Sequence, residues 1–444
     1  MRGKKSSAGL GAVSAIFAAS LLMTGRCATA QTEKVLFNFH AREGNKPYAG
    51  LIFDASGNLY GTTSSGGADG YGVVFELSPA TGGTWAETVL HSFSGGEDGR
   101  TPYAGLAMDA AGNLYGTTYD GGAGASCTYK IGCGTVFELT RTTGGVWTEK
   151  VLHAFGDGTD DGVRPYANLI FDSAGNLYGT TFAGGSFKSC SAVGVDSGHY
   201  GCGTVFELSP TANGWTEQIL YNFDEGTNGQ NPYAGLIFDS SGRLYGTTEY
   251  GGTDLGCGGE GYADTCGTAF LLTPKAGVWS ESLLPAPVYG FITNLTIDAT
   301  GNVYGTNAYG GGPCLESDYA GCGVVYELSP TAGGNWSSEW LWSFASRAFT
   351  PDGAWPSSGP TLDAEGNLYG STSGYVNENG VGEYGGTVYR LSPTAGGWAE
   401  TLLYVLSAGS WPSGGLVFDV EGNVYGTTRE GGTYNQGTVF EITP

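Results

Sequence analysis

Eight cysteines carry the clearest chemical signal in this chain. They fall as four pairs: Cys127 and Cys133, Cys190 and Cys202, Cys257 and Cys266, Cys314 and Cys322. In every pair the second cysteine directly precedes a glycine. Even, locally paired cysteines in an exported chain read as disulfides. A zinc reading needs a CxxC or a cysteine–histidine cluster, and neither occurs, so no metal is assigned to them. Closing such small loops is worth roughly 2–3 kcal/mol each on the chain-entropy estimate.

Carboxylates form two further groups. Asp54, Asp109, Asp172, Asp239, Asp298, Asp363 and Asp419 each stand three residues ahead of a glycine. A ring of calcium ligands is one reading. The other is that each carboxylate accepts backbone N–H bonds within its own turn, and seven identical positions favour it. Acidic loops run through Gly95–Gly99, Asp157–Gly162 and Asp224–Gly229. Asp157, Asp160 and Asp161 offer oxygens for Ca²⁺, but the spacing is not that of an EF-hand, and a solvated turn is the favoured reading. His91 and His153 share one repeat position, read as packing or surface; His40 and His199 are isolated. There is no nucleophile elbow, phosphate loop or HExxH, so no catalytic residue and no cofactor is assigned.

Aromatic residues divide by position. Trp85, Trp147, Trp215, Trp279, Trp336 and Trp398 recur as packing residues. Tyr48, Tyr103, Tyr166 and Tyr233, with Trp355 and Trp411 later in the chain, precede another apolar run. They either fill the core or present flat faces to a ligand, a sugar or a peptide, and they are the ligand-binding candidates.

All of these groups are positioned by one repeated phrase. Gly-Asn-Leu-Tyr-Gly-Thr-Thr, with small variations, starts at Gly57, Gly112, Gly175, Gly242, Gly301, Gly366 and Gly422. Successive copies are 55, 63, 67, 59, 65 and 56 residues apart. Such self-similarity marks an array of one supersecondary unit. The second copy reads as four strands: 102–109, 113–118, 134–139 and 147–155. No sustained helical period appears. Four antiparallel strands per unit, repeated radially, predict an all-β fold, a seven-bladed β-propeller. The units span about 47–93, 102–155, 165–223, 232–284, 290–344, 355–405 and 411–444. The last supplies three strands only, and residues 32–39 match an orphan fourth strand. The N-terminal strand is therefore expected to complete the last blade and close the ring, which removes open edges. In a propeller the first strand is innermost, which puts the candidate aromatics at the channel mouth. The variable loops, the cysteines and the acidic segments share that face, the usual sign of a binding surface.

Residues 1–30 read as a signal peptide. Arg2, Lys4 and Lys5 precede an apolar run, and Ala28-Thr29-Ala30 has the form of a cleavage site. Residues 31–444 are then a single propeller, secreted or periplasmic, with no transmembrane segment after cleavage. The formal charge of −24 makes nucleic acid and anionic lipid poor partners.

The phrase Gly-Asn-Leu-Tyr-Gly-Thr-Thr, then Gly-Gly, Gly-Thr-Val-Phe-Glu-Leu-Ser-Pro and Gly-Gly-x-Trp-x-Glu, resembles the bacterial GloVer (Gloeo/Verruco) tandem repeat proteins. The resemblance covers residues 32–444. It implies an exported repeat protein of unassigned biochemical role, often C-terminally anchored; no anchor is visible here, which favours a free protein. The function expected is a binding or interaction module, a monomer facing an extracellular glycan or protein. The alternatives are a carbohydrate-active enzyme, glycoside hydrolase or polysaccharide lyase, and a structural envelope component.

Overall fold

The tight turn of each repeat is a small hydrogen-bonded machine. Asp54 Oδ1 accepts the N–H groups of Ser56 and Asn58, while its Oδ2 accepts Asn58 Nδ2 at 2.8 Å and the Tyr60 hydroxyl at 3.2 Å. Gly57 between them sits at φ 83°, a conformation open to glycine without a steric penalty. Partial burial works to raise the Asp54 carboxyl, but these hydrogen bonds outweigh it and hold the group below its ordinary value. The same set recurs at Asp109, Asp172, Asp298 and Asp419. In the fourth unit Arg243 replaces the asparagine, and its Nε donates to Asp239 at 2.6 Å. These aspartates are thus turn formers.

The turn launches a strand that is buried along its whole length. In the first unit this is Leu59–Thr63, followed by Val73–Pro79 and Trp85–Ser92. Gly61 is required inside it, because a β-carbon there would stand 2.6 Å from Phe75 Cζ and 2.9 Å from Leu51 Cδ2. The inner strand is shorter than the sequence suggests: only Ile52–Phe53 pairs, and in the second unit only Ala107–Met108 of 102–109. The preceding residues are committed to a neighbour instead. Ala104 gives its carbonyl to Thr62 of the first unit, and a proline at the entry has no N–H to donate to a ladder.

The computed structural model describes residues 32–443 except 125–126, 128–130, 157, 159, 188–189, 191–200, 225, 253–265, 287–292, 312–320, 345–351, 377–381, 384 and 408. Among these residues the strands form seven antiparallel blades, with no α-helix and one 3₁₀ turn at Thr81–Gly83. The last blade takes its outer strand, Thr32–Asn38, from the N-terminus, paired antiparallel to Thr438–Thr443. Its register skips Leu36 between the Val35–Phe440 and Phe37–Val439 pairs, and the matching ladders skip Leu90 and Leu152 at the equivalent place. The N-terminal strand is therefore a true fourth strand.

Each hydrophobic core lies between two blades. Leu51, Leu59 and Phe75 of the first pack with Tyr425 and Val439 of the last, and Tyr60 and Val74 pack with Leu114 and Phe137 of the second. The first threonine of the phrase adds a bond across the seam: Thr62 to Ala104 O, Thr306 to Ser358 O and, across the closure, Thr427 to Ala49 O. At six of the seven seams the glycine that opens the third strand receives the next unit's proline, the exception being Gly267 of the fourth unit. A β-carbon on Gly437 would stand 2.6 Å from Pro47 Cδ, and one on Gly134 2.6 Å from Pro165 Cδ.

The seams also bury acid. Glu87, Glu149 and Glu281 lie in register with Leu77, Leu139 and Leu272 and face Glu43, Asp98 and Asp224 respectively. Burial first, and then the neighbouring carboxylate, pushes each of the three up to about 7. Between the ordinary value of 4.5 and about 7 the folded protein holds protons that the unfolded chain releases. The stability they contribute is full at the acid end and is lost as pH rises through about 7. The melting temperature should be higher at pH 5 than at pH 8, and the triple Glu→Gln variant at these positions should flatten that dependence. A variant with the wild-type pH profile would contradict the assignment. Gly437→Ala should cost about 2–4 kcal/mol in urea unfolding, since φ is 99° there and Pro47 leaves no room.

Candidate functional site

The seam aims the aromatic residues. Lys46, Thr101, Arg164, Asn231 and Trp355 enter their units with φ between 56° and 60°. The N–H of each bonds to the carbonyl just before the seam glycine of the preceding unit: Lys46 to Gln436 O, Thr101 to Tyr71 O, Arg164 to Cys133 O, Asn231 to Cys202 O and Trp355 to Cys322 O. The proline that follows seats against that glycine, and the next side chain is directed into the central channel.

The channel mouth is a cavity of about 740 Å³ lined by residues of all seven units. Tyr48, Tyr103, Tyr166, Tyr233, Trp355 and Trp411 all line it, each half-buried. The tyrosines form a continuous arc. Tyr48 meets Tyr103 edge-on at 5.1 Å, Tyr103 stacks on Tyr166 at 4.8 Å, and Tyr166 stacks on Tyr233 at 4.1 Å. Tyr119 braces the stack edge-on against Tyr103 and Tyr166, with Arg164 5.0 Å above its own ring. Burial first, then the Tyr233 hydroxyl beside it, pushes the Tyr166 phenol far above its ordinary value, so the stack is neutral. On the other side the Arg429 guanidinium lies 4.3 Å from the Trp411 ring and 5.6 Å from Tyr48, which links the two arcs.

The two tryptophans are not in the tyrosine position. Pro356 and Pro412 align with Pro47, so Ser357 and Ser413 take the place of Tyr48, and Trp355 and Trp411 stand one residue ahead of the proline. Trp355 keeps the left-handed entry conformation, φ 58°, that Lys46, Thr101, Arg164 and Asn231 share at their seams. The sequence reading missed Arg429 and Tyr119. Both directly follow the threonine pair, where the seven units carry Ser64, Tyr119, Phe182, Glu249, Ala308, Ser373 and Arg429. Variation immediately after a constant phrase was the available signal.

The disulfides support the same mouth. Cys127–Cys133 and Cys190–Cys202 are closed within their loops, and Cys266 and Cys322 are also disulfide-bonded. Cys257 and Cys314 lie outside the described residues, as do Asp157 and His199. Cys133, Cys202 and Cys322 are the residues whose carbonyls hold Arg164, Asn231 and Trp355. His91 and His153 are not simple packing residues: each ring faces an aspartate of the following loop, Asp98 at 3.3 Å and Asp161 at 3.6 Å.

A family model for the Gloeobacter/Verrucomicrobia repeat matches residues 20–195 and 255–444. The chain belongs to this repeat family. The intervening part of this Gloeobacter/Verrucomicrobia repeat protein still forms regular blade strands, including Thr204–Thr211 and Leu244–Tyr250. No protein with curated annotation matches the chain. Among solved structures it is similar to a protein from Lactobacillus plantarum, at 14% identity over 87% of this chain and 99% of that one, with a TM-score of 0.47. It is also similar to a fungal alcohol oxidase of the AA5 family in complex with copper, at 12% identity over 91% and 75%, with a TM-score of 0.49. Likenesses at this level carry no argument about activity.

Removing the Cys127–Cys133 bond by a double Cys→Ala change should cost roughly 2–3 kcal/mol in urea unfolding. A loss below about 0.5 kcal/mol would mean the loop is held without it. Non-reducing peptide mapping should join Cys266 to Cys257 and Cys322 to Cys314.

Proposed function

We propose that this protein is an exported binding module that takes a glycan chain in the aromatic mouth of its channel. The observation that carries the reading is the arc from Trp411 through Arg429 and Tyr48 to Tyr233, six half-buried groups presenting faces and hydroxyls to one cavity. Sugar rings stack their C–H faces on aromatic planes, and their hydroxyls need a few fixed polar partners. Ser357, Ser413 and the tyrosine hydroxyls supply these. Stacked, seam-anchored rings lose little rotamer freedom on binding, which favours affinity.

Among the described residues that line the cavity, the charged group is Arg429. Acid–base glycoside hydrolysis works through a pair of carboxyl groups, so this lining supports binding more than hydrolysis. The N-terminal leader pattern and the loop disulfides support an exported location.

A glycan array followed by calorimetry tests the reading. Trp355→Ala and Trp411→Ala should each weaken binding of the ligand found by about 1–3 kcal/mol, with the melting temperature nearly unchanged. Unaltered binding in a folded double variant would place the site elsewhere. A sharp fall in melting temperature for both would make the rings core residues.

A further inference from the structure

We propose that His153, Asp161 and Glu217 form a divalent metal site of the zinc type at the seam between the second and third blades. His153 stands on the outer strand Trp147–Ala154, Asp161 on the loop after it, and Glu217 on the neighbouring outer strand Gly214–Asn222. His153 Nε2 is 3.6 Å from Asp161 Oδ1 and 3.7 Å from Glu217 Oε2, and ligand atoms of all three lie within 4.8 Å of one another. These separations exceed a good hydrogen bond, which closes to about 3.2 Å or less. They are near the spacing of two donors on one tetrahedral ion, about 3.4 Å for bonds of 2.0–2.1 Å. One imidazole and two carboxylates suit a borderline cation such as Zn²⁺ better than an all-oxygen ion such as Ca²⁺.

The site is enclosed and pre-oriented. Side-chain exposure is 18% for His153, 6% for Asp161 and 14% for Glu217. The second oxygen of Asp161 accepts the Gly156 N–H at 2.6 Å, an outer contact of the kind that orients a metal ligand. Gly156 itself is pressed against both sulfurs of Cys127–Cys133. The His153 ring is fixed edge-on against Phe155 at 4.7 Å. Glu217 Oε1 is buried, as is the equivalent oxygen of Glu87, Glu149 and Glu281, so convergence on His153 and Asp161 is what sets this seam apart. Two carboxyl groups gathered around one imidazole offer a dication three ligand atoms from two blades.

The preceding seam is an internal control. His91, Asp98 and Glu149 are the equivalent residues, but Asp98 is taken up by Ser94 N and Oγ, and the three do not converge among the described residues. At the following seam Tyr221 replaces the histidine. The triad is thus a departure of one seam from the repeat. None of its residues lines the channel, so the site is independent of the glycan reading and acts as a staple between two blades.

Chelator-stripped protein titrated with ZnCl₂ tests the assignment, with CaCl₂ as comparison. The wild type should bind one Zn²⁺ with a rise in melting temperature, and His91→Gln should behave like it. His153→Gln with Glu217→Gln should weaken this binding by more than about tenfold while melting like the wild type in chelator. Should that variant fold poorly, Co²⁺ in the wild type reads the site directly, since coordination by one nitrogen and carboxylate oxygens gives visible absorption that Zn²⁺ abolishes. Absence of saturable zinc binding, equal affinity in the folded double variant, or a Co²⁺ spectrum identical to the aqueous ion would overturn the proposal.

Discussion

Each blade depends on how it seats against its neighbour at the glycine that opens the third strand. At five seams the carbonyl before that glycine accepts an N–H from the next unit, as Gln436 does from Lys46 at 2.9 Å and Cys133 from Arg164 at 2.7 Å. A donor in the left-handed region then turns the chain, and the proline after it lies on the bare glycine. Proline fixes its own φ and lacks an N–H, so the entry is rigid and makes no competing ladder bond. Rigidity at this point is what lets seven short inner strands define a channel although each pairs through only two residues. The same contact between Gly437 and Pro47, with Thr427 bonded to Ala49, joins the last unit to the first.

The site is a by-product of this seating. Because the seam sets direction, whatever follows the proline faces the channel, and four successive tyrosines become a stack. Where units six and seven carry serine after the proline, the tryptophan before it takes over the lining. Three seams place a disulfide-bonded cysteine at the hydrogen-bonded carbonyl, so the loops that vary most are tied to the residues that line the mouth. Stability and the lining of the mouth use one set of contacts, in a repeat array whose units touch only their neighbours.

The fold was legible because the repeat phrase encodes local physics. Asp54, Gly57 and Asn58 specify a turn, Gly61 and the threonines specify a buried strand, and the orphan strand at 32–39 specifies closure. The mouth was legible only in part. Position ahead of the first strand identified the six aromatic residues, and the order Trp355-Pro356 and Trp411-Pro412 against Pro47-Tyr48 is legible in the sequence itself. Arg429 and Tyr119 were hidden because their inward direction follows from the pairing of the strand end with the entry segment, as Arg429 N bonds Trp411 O. The approach of His153, Asp161 and Glu217 joins residues 64 positions apart through blade packing, and no local pattern reports that.

Native-state hydrogen exchange across the closing seam tests the central claim most directly. The seam account predicts that the amides of Val35–Asn38 and of Lys46 are protected to the same degree as those of Val151–Ala154 and Arg164, their counterparts at an internal seam. Exchange at Val35–Asn38 and Lys46 as fast as in an unstructured chain, with Val151–Ala154 and Arg164 still protected, would show that the ring is not closed there and would contradict the account.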